Sequence, residues 1–193
     1  TMTAFSDCYL ISEKASDSEG EISPWHVMAA VQALGSNLLA KNILTRGAVV
    51  RGYAYHCGRV AFGPAIIEAY NIEHNVAKYP RILVSDDIRS AISWEDRTMW
   101  GGHVLLQDVD GCSFINVFAP SLSRWDTVSN DASTLATKEF LVRVRHLLLQ
   151  RLKSTDDASI GLATKLGLVS KVKWLIYHFN AAAKASGLAP IDE

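Results

Sequence analysis

Two stretches, Arg46-Gly47-Ala48-Val49-Val50-Arg51-Gly52 and Phe62-Gly63-Pro64-Ala65-Ile66-Ile67-Glu68-Ala69-Tyr70, decide how the chain is read. The first lies in a run from Thr45 to His56 whose Val49, Val50, Tyr53 and Tyr55 are strand-forming residues. Cys57-Gly58-Arg59 turns the chain, and Pro64, with its fixed φ and missing N–H, suits the first position of a helix. From Ala65 to Tyr79 the residues Ala65, Ala69, Ile72 and Val76 form an apolar stripe at helical spacing. Glu68, Asn71 and Asn75 share a separate polar face that a ligand could meet. Pro80-Arg81 stops the helix, and Ile82-Leu83-Val84 reads as a short buried strand.

Outward from this centre, Phe5 to Ser12 alternates and reads as a strand with Asp7 inside it, ended by a polar loop from Glu13 to Ser23. The opening Thr1-Met2-Thr3-Ala4-Phe5 already has strand character, so further sequence is expected upstream of Thr1. Pro24 opens a helix whose core stripe is expected at Val27, Val31, Leu34 and Leu38. Trp94 to Gly102 reads as loop, and Val104 to Phe118 as a hairpin turning at Asp110-Gly111, a pair that tolerates positive φ. Two helices close the chain, around Leu141, Val144, Leu148 and Leu152 and around Val169, Val172, Ile176 and Phe179, with a break at 154–158. The pattern predicts an α+β fold, one sheet covered by helices, in a single domain over 1–193 with a C-terminal helical extension.

With 193 residues, 49% of them hydrophobic, the chain can fill a core without disulfides or structural metal. A net charge of −1 gives no overall positive field for nucleic acid or an anionic membrane. Cys8, Cys57 and Cys112 lack the spacing of a zinc site and read as reduced thiols of a cytoplasmic protein. No run approaches the roughly 20 apolar residues of a membrane span. The six histidines show no metal-ligand spacing; His26, His74, His103 and His146 read as surface or core residues, and His56 and His178 are slightly more interesting.

In order and spacing, Phe5-Ser6-Asp7, the Arg46–Gly52 stretch and the Phe62–Tyr70 stretch resemble the consecutive landmarks of class III nucleotide cyclase domains. Glu73, Ala77-Lys78-Tyr79-Pro80-Arg81-Ile82 and the tail Lys173-Trp174-Leu175 with His178 and Asn180 resemble the bacterial pyrimidine-cyclase branch that serves anti-phage signalling. The resemblance implies a ferredoxin-like sheet with helices on one face, and a head-to-tail homodimer with active sites across the interface. It implies two magnesium or manganese ions, because ring closure on the α-phosphate needs a polarised 3′-hydroxyl and neutralised triphosphate oxygens. Asp7 matches the second metal carboxylate, while the first carboxylate and the phosphate turn belong to a strand expected upstream.

Where purine cyclases carry a base-reading lysine, four residues before that aspartate, this chain has Thr3, and at the matching acidic base-reading position it has Val60. These departures point to a pyrimidine, UTP first and CTP next. The family's transition-state asparagine and arginine align with Ile67 and Asn71, so the charge on the phosphate is expected to fall to Arg51, Arg59 or Arg81. Phe5, Tyr53, Tyr55, Phe62, Glu68 and Tyr70 complete the expected nucleotide pocket, large rings narrowing it toward a pyrimidine. The implied product, a 3′,5′-cyclic pyrimidine monophosphate, would be read by a separate effector. The rivals are a degenerate cyclase fold that regulates without turnover, favoured by Ile67 and Asn71, and a polymerase-like palm, disfavoured by the missing basic stripe.

Overall fold

The computed structural model describes residues 1–5, 7–14, 24–92, 104–119, 130–155, 159 and 161–192. Its elements are β1 (Met2–Phe5), β2 (Cys8–Ile11), α1 (Trp25–Leu39), β3 (Gly47–Val49), β4 (Tyr55–Cys57) and β5 (Val60–Phe62). They continue with α2 (Pro64–Asn75), β6 (Ile82–Val84), α3 (Asp86–Ala91), β7 (Leu105–Gln107), β8 (Ser113–Ile115), α4 (Asn130–Ser154) and α5 (Leu162–Ala185). The architecture is mixed α/β, as the sequence pattern predicts. The chain forms two compact units, 1–34 with 45–116, and 35–44 with 117–193, where a single domain is expected.

In the first unit a four-stranded sheet runs β3-β6-β8-β7, with β3 parallel to β6 and the other pairings antiparallel. Two hairpins, β1-β2 and β4-β5, pair separately. The β7-β8 turn falls at Asp110-Gly111 with Gly111 at φ 85, as expected. The short strand at Ile82–Val84 is buried throughout. Met28, Leu83, Ile88, Phe114 and Ile115 fill the core beside it.

Two expected strands are each split. The run from Phe5 to Ser12 is the second half of a hairpin and its turn, so Asp7 lies in the turn and not within a strand. The run from Thr45 to His56 breaks after Val49 because the chain must cross the start of α2 at Gly52 before β4 begins. The buried line of α1 also differs from the expected Val27, Val31, Leu34, Leu38, which are half-buried. It is turned by one residue onto Met28, Gln32, Gly35 and Leu39. The cause is polar: Gln32 Nε2 donates to Asn116 O at 2.8 Å and Ser36 Oγ to Val117 O at 2.8 Å, so two polar side chains find acceptors inside. The expected loop at Trp94–Gly102 lies outside the described residues.

The second unit is helical. Leu141, Val144 and Leu148 of α4 and Val172, Ile176 and Phe179 of α5 are buried as the periodicity predicts, whereas Leu152 and Val169, expected in the same stripes, are half-buried. Phe118 meets Phe179 edge to face at 6.3 Å. Asn180 brackets the tail, Nδ2 donating to Ile191 O at 3.0 Å and Oδ1 accepting from Ile191 N at 2.8 Å. No helix among the described residues is long and apolar enough to cross a membrane.

Arg81 is a charged residue buried in the first unit's core. Its side chain is 1% exposed and pairs with Asp108, 3% exposed, and with both carboxylate oxygens of Asp110. Burial opposes the guanidinium charge, but Asp110 and Asp108 outweigh it and raise the Arg81 pKa. The hydrogen bond from Arg81 holds Asp110 down at about 2. Removing one partner of a buried pair strands the other charge, so Arg81→Met is expected to cost about 3–5 kcal/mol in chemical denaturation. Because the folded Asp110 pKa is depressed from 3.8, its contribution is present above that value and is lost as pH falls toward about 2. The stability difference between wild type and Asp110→Asn should therefore shrink over that acid window.

Candidate functional site

Backbone crossing builds the site. At Gly63, φ 132, a Cβ would stand 2.7 Å from Tyr53 O and 2.9 Å from Ala54 Cα, so only glycine lets the two segments touch. Gly52 meets the Ala65 Cβ on the other side of the crossing, where an added Cβ would be 3.2 Å away. Ala65 N donates to Tyr53 O at 3.2 Å, which satisfies one of the orphan donors of the first turn of α2. Pro64 occupies the helix start, as expected, and needs no acceptor. The crossing thus seats the β4-β5 hairpin on α2.

On that hairpin, Tyr55 and Phe62 face each other across the β4-β5 pair and stack at 5.1 Å with 23° between planes. The turn between them runs through Gly58 at φ 56 and Arg59, and Val60 opens β5. Tyr53 is 89% exposed, and Val60, Phe62, Ile67 and Tyr70 are each more than half exposed. On α2, Glu68, Asn71 and Asn75 line a shallow concave face together with Pro64, Ile67, Ile72 and Val76. The expected apolar stripe of that helix is buried at Ala65, half-buried at Ala69 and Ile72, and emerges at Val76. Tyr70 stacks on His74 at 5.7 Å.

The β1-β2 hairpin joins this surface through Thr3. Its Oγ1 donates to Gly58 O at 2.6 Å and lies 2.9 Å from His56 Nε2, while His56 Nδ1 lies 2.7 Å from Ser12 Oγ. Thr3, expected to face a nucleotide base, is therefore engaged by the protein itself. Phe5 closes β1 opposite Cys8. Asp7 is exposed in the turn and makes no hydrogen bond or ion pair with other described residues. Arg51 and Arg59 are exposed and likewise have no acid partner among the described residues. Arg81, the third cation considered for the phosphate, is spent on Asp108 and Asp110 inside the core. Among the described residues no three His, Cys, Asp or Glu side chains gather to hold a metal ion. Cys8, Cys57 and Cys112 are free thiols.

Sequence reasoning missed His56 and Ser12 as a link between the two hairpins. Their sequence separation, 44 residues for His56 and Ser12 and 53 for His56 and Thr3, leaves no local signal. Comparison of the chain with protein-family models, with curated proteins and with solved structures found no match.

The crossing gives a direct test. Gly63→Ala adds both a contact inside van der Waals distance and a left-handed strain, and should cost about 1–3 kcal/mol. Gly58→Ala, with nothing within 4 Å of the added carbon, carries the conformational cost alone, about 1 kcal/mol. Urea denaturation of the two variants checks the difference.

Proposed function

We propose that the chain is a nucleotidyl cyclase domain that converts a pyrimidine nucleoside triphosphate, UTP first and CTP next, into its 3′,5′-cyclic monophosphate and pyrophosphate. It works in the cytoplasm as a homodimer with its sites at the interface, and its product is a messenger for a separate effector in antiviral defence. The fold under this reading is the ferredoxin-like sheet of class III cyclases with a helical extension. Support comes from the ordered resemblance of Phe5-Ser6-Asp7, Arg46–Gly52 and Phe62–Tyr70 to that family.

One observation carries the reading. Tyr53, Tyr55, Val60, Phe62, Ile67 and Tyr70, within one stretch of chain, are each at least 50% exposed, and an apolar surface of that kind marks a place where something binds. A base stacked on the Tyr55–Phe62 slab and a second copy of the chain would cover it together. Val60 offers the base no hydrogen bond, while Glu68 and Asn71 on α2 carry polar atoms that could read one. Arg51 and Arg59, with no acid partner among the described residues, are available to the triphosphate oxygens.

The divalent ions, magnesium or manganese, belong to the triphosphate as it arrives. Asp7 is this chain's matched carboxylate for them, in an exposed turn where charge is least penalised. A single carboxylate does not make a resident two-ion centre, and no chemical step is assigned to ions held by this chain alone. A regulatory cyclase fold without turnover remains the alternative that Ile67 and Asn71 favour, since neither supplies the family's transition-state groups.

The test is incubation of the dimer with each of the four nucleoside triphosphates and manganese, with chromatography of the products. Cyclic product from UTP or CTP is expected. Binding without product from any of the four assigns the chain to the regulatory alternative. Asp7→Asn should abolish turnover and leave the melting temperature unchanged, because the residue is exposed and the exchange removes charge without volume. Phe62→Glu should shift the chain to monomer in light scattering, since it charges the centre of the apolar face.

A further inference from the structure

The β1-β2 hairpin, which carries Asp7, is tied to the β4-β5 hairpin by hydrogen bonds that pass through one imidazole. Their proton order can be worked out from the donors available. Thr3 Oγ1 spends its only proton on Gly58 O at 2.6 Å. The bond to His56 Nε2 at 2.9 Å must then be donated by the ring, so Nε2 carries a proton. In the neutral imidazole Nδ1 is bare, and Ser12 Oγ, 2.7 Å away, donates to it. The chain of donation runs from Ser12 to His56 to Thr3 to the Gly58 carbonyl.

The geometry places this histidine on both arms of one hairpin. Thr3 lies within β1, while Ser12 follows β2 and exchanges backbone bonds with Thr1, N to O at 2.8 Å and back at 2.7 Å. Gly58 is in the turn of the other hairpin, beside Arg59 and Val60. We propose that His56, held as the Nε2–H tautomer, is a positioning residue. It fixes the arm that presents Asp7 against the hairpin that presents Arg59, Val60 and Phe62. By occupying the Thr3 hydroxyl it also removes Thr3 from contact with a base. The consequence for a nucleotide rests on the cyclase reading above, whereas the latch itself does not.

The test uses the full chain labelled with nitrogen-15. At mildly alkaline pH, long-range proton–nitrogen correlation should show His56 as a single tautomer with a bare Nδ1, and Thr3→Val should return the ring to a tautomer mixture. His56→Leu should speed amide exchange in β1 and β2 by up to about tenfold, the worth of a hydrogen bond, and His56→Gln, which keeps an N–H donor toward Thr3, should recover most of it. A ring that merely fills space would be replaced better by Leu than by Gln. On turnover, Thr3→Val should leave the ratio of kcat/KM for UTP over CTP unchanged while raising KM for both. A tautomer mixture in the wild type, unchanged exchange in His56→Leu, or a shifted UTP/CTP ratio in Thr3→Val overturns the proposal. Absence of any cyclic product from the wild type sinks the cyclase reading instead, and the tautomer and exchange measurements still decide the latch.

Discussion

The close crossing of residues 52–54 over the start of α2 is the constraint on which the candidate site depends. A helix leaves its first N–H groups without partners, and a strand that ends leaves carbonyls without partners. Here each answers the other, Tyr53 O accepting from Ala65 N. That exchange is possible only because Gly63 has no Cβ to meet the Tyr53 carbonyl and because Gly52 leaves room for Ala65. A side chain at Gly63 would push the hairpin off the helix, and Tyr55, Phe62, Glu68 and Asn71 would no longer share a surface.

Several polar groups inside the two units are paired with groups of complementary chemistry. Gln32 and Ser36 donate to carbonyls, Asn180 imitates a backbone to hold the tail, and Arg81 gathers Asp108 and Asp110. The Arg81 pair matters most for shape. Pro80 ends the approach from α2, Arg81 immediately precedes β6, and the two aspartates sit at the β7-β8 turn, so one guanidinium ties the start of β6 to that turn. Buried pairs contribute less to net stability than to specifying one arrangement, and the arrangement here is a sheet whose strands are only three residues long.

What could be read from the sequence was whatever a local rule encodes. Pro64 at a helix start, Asp110-Gly111 at a turn, the buried Ile82–Val84 and the stripes of α4 and α5 each follow from the residues themselves and their near neighbours. The buried line of α1 lies one residue from the apolar stripe because apolar periodicity counts Gln32 and Ser36 as outside, and carbonyls from residues 116 and 117 draw them in. The hairpin turn at Asp7 is hidden in the sequence because Cys8-Tyr9-Leu10-Ile11 continues the apolar pattern of Met2 to Phe5. Of the site, residue types and exposure were legible, and contacts were not. The sequence offers Thr3 as a base reader because nothing local places His56 beside it.

The exposure of the site residues is itself an argument about mechanism. Catalytic charge stabilisation depends on excluding water, since a guanidinium facing solvent is screened by a dielectric near 80 and contributes about 1 kcal/mol to a contact at 4 Å. Arg51, Arg59 and Asp7 all face solvent in the isolated chain. For the proposed reaction, these groups would act once another surface covers them, and the exposed aromatic and aliphatic residues around Phe62 would gain free energy on being covered. Burial of that apolar face and strengthening of the charges beside it are one event. Under the proposed cyclase reading, turnover would be inseparable from assembly, because a monomer would lack the low-dielectric setting that Arg51 and Arg59 need to stabilise charge on a triphosphate.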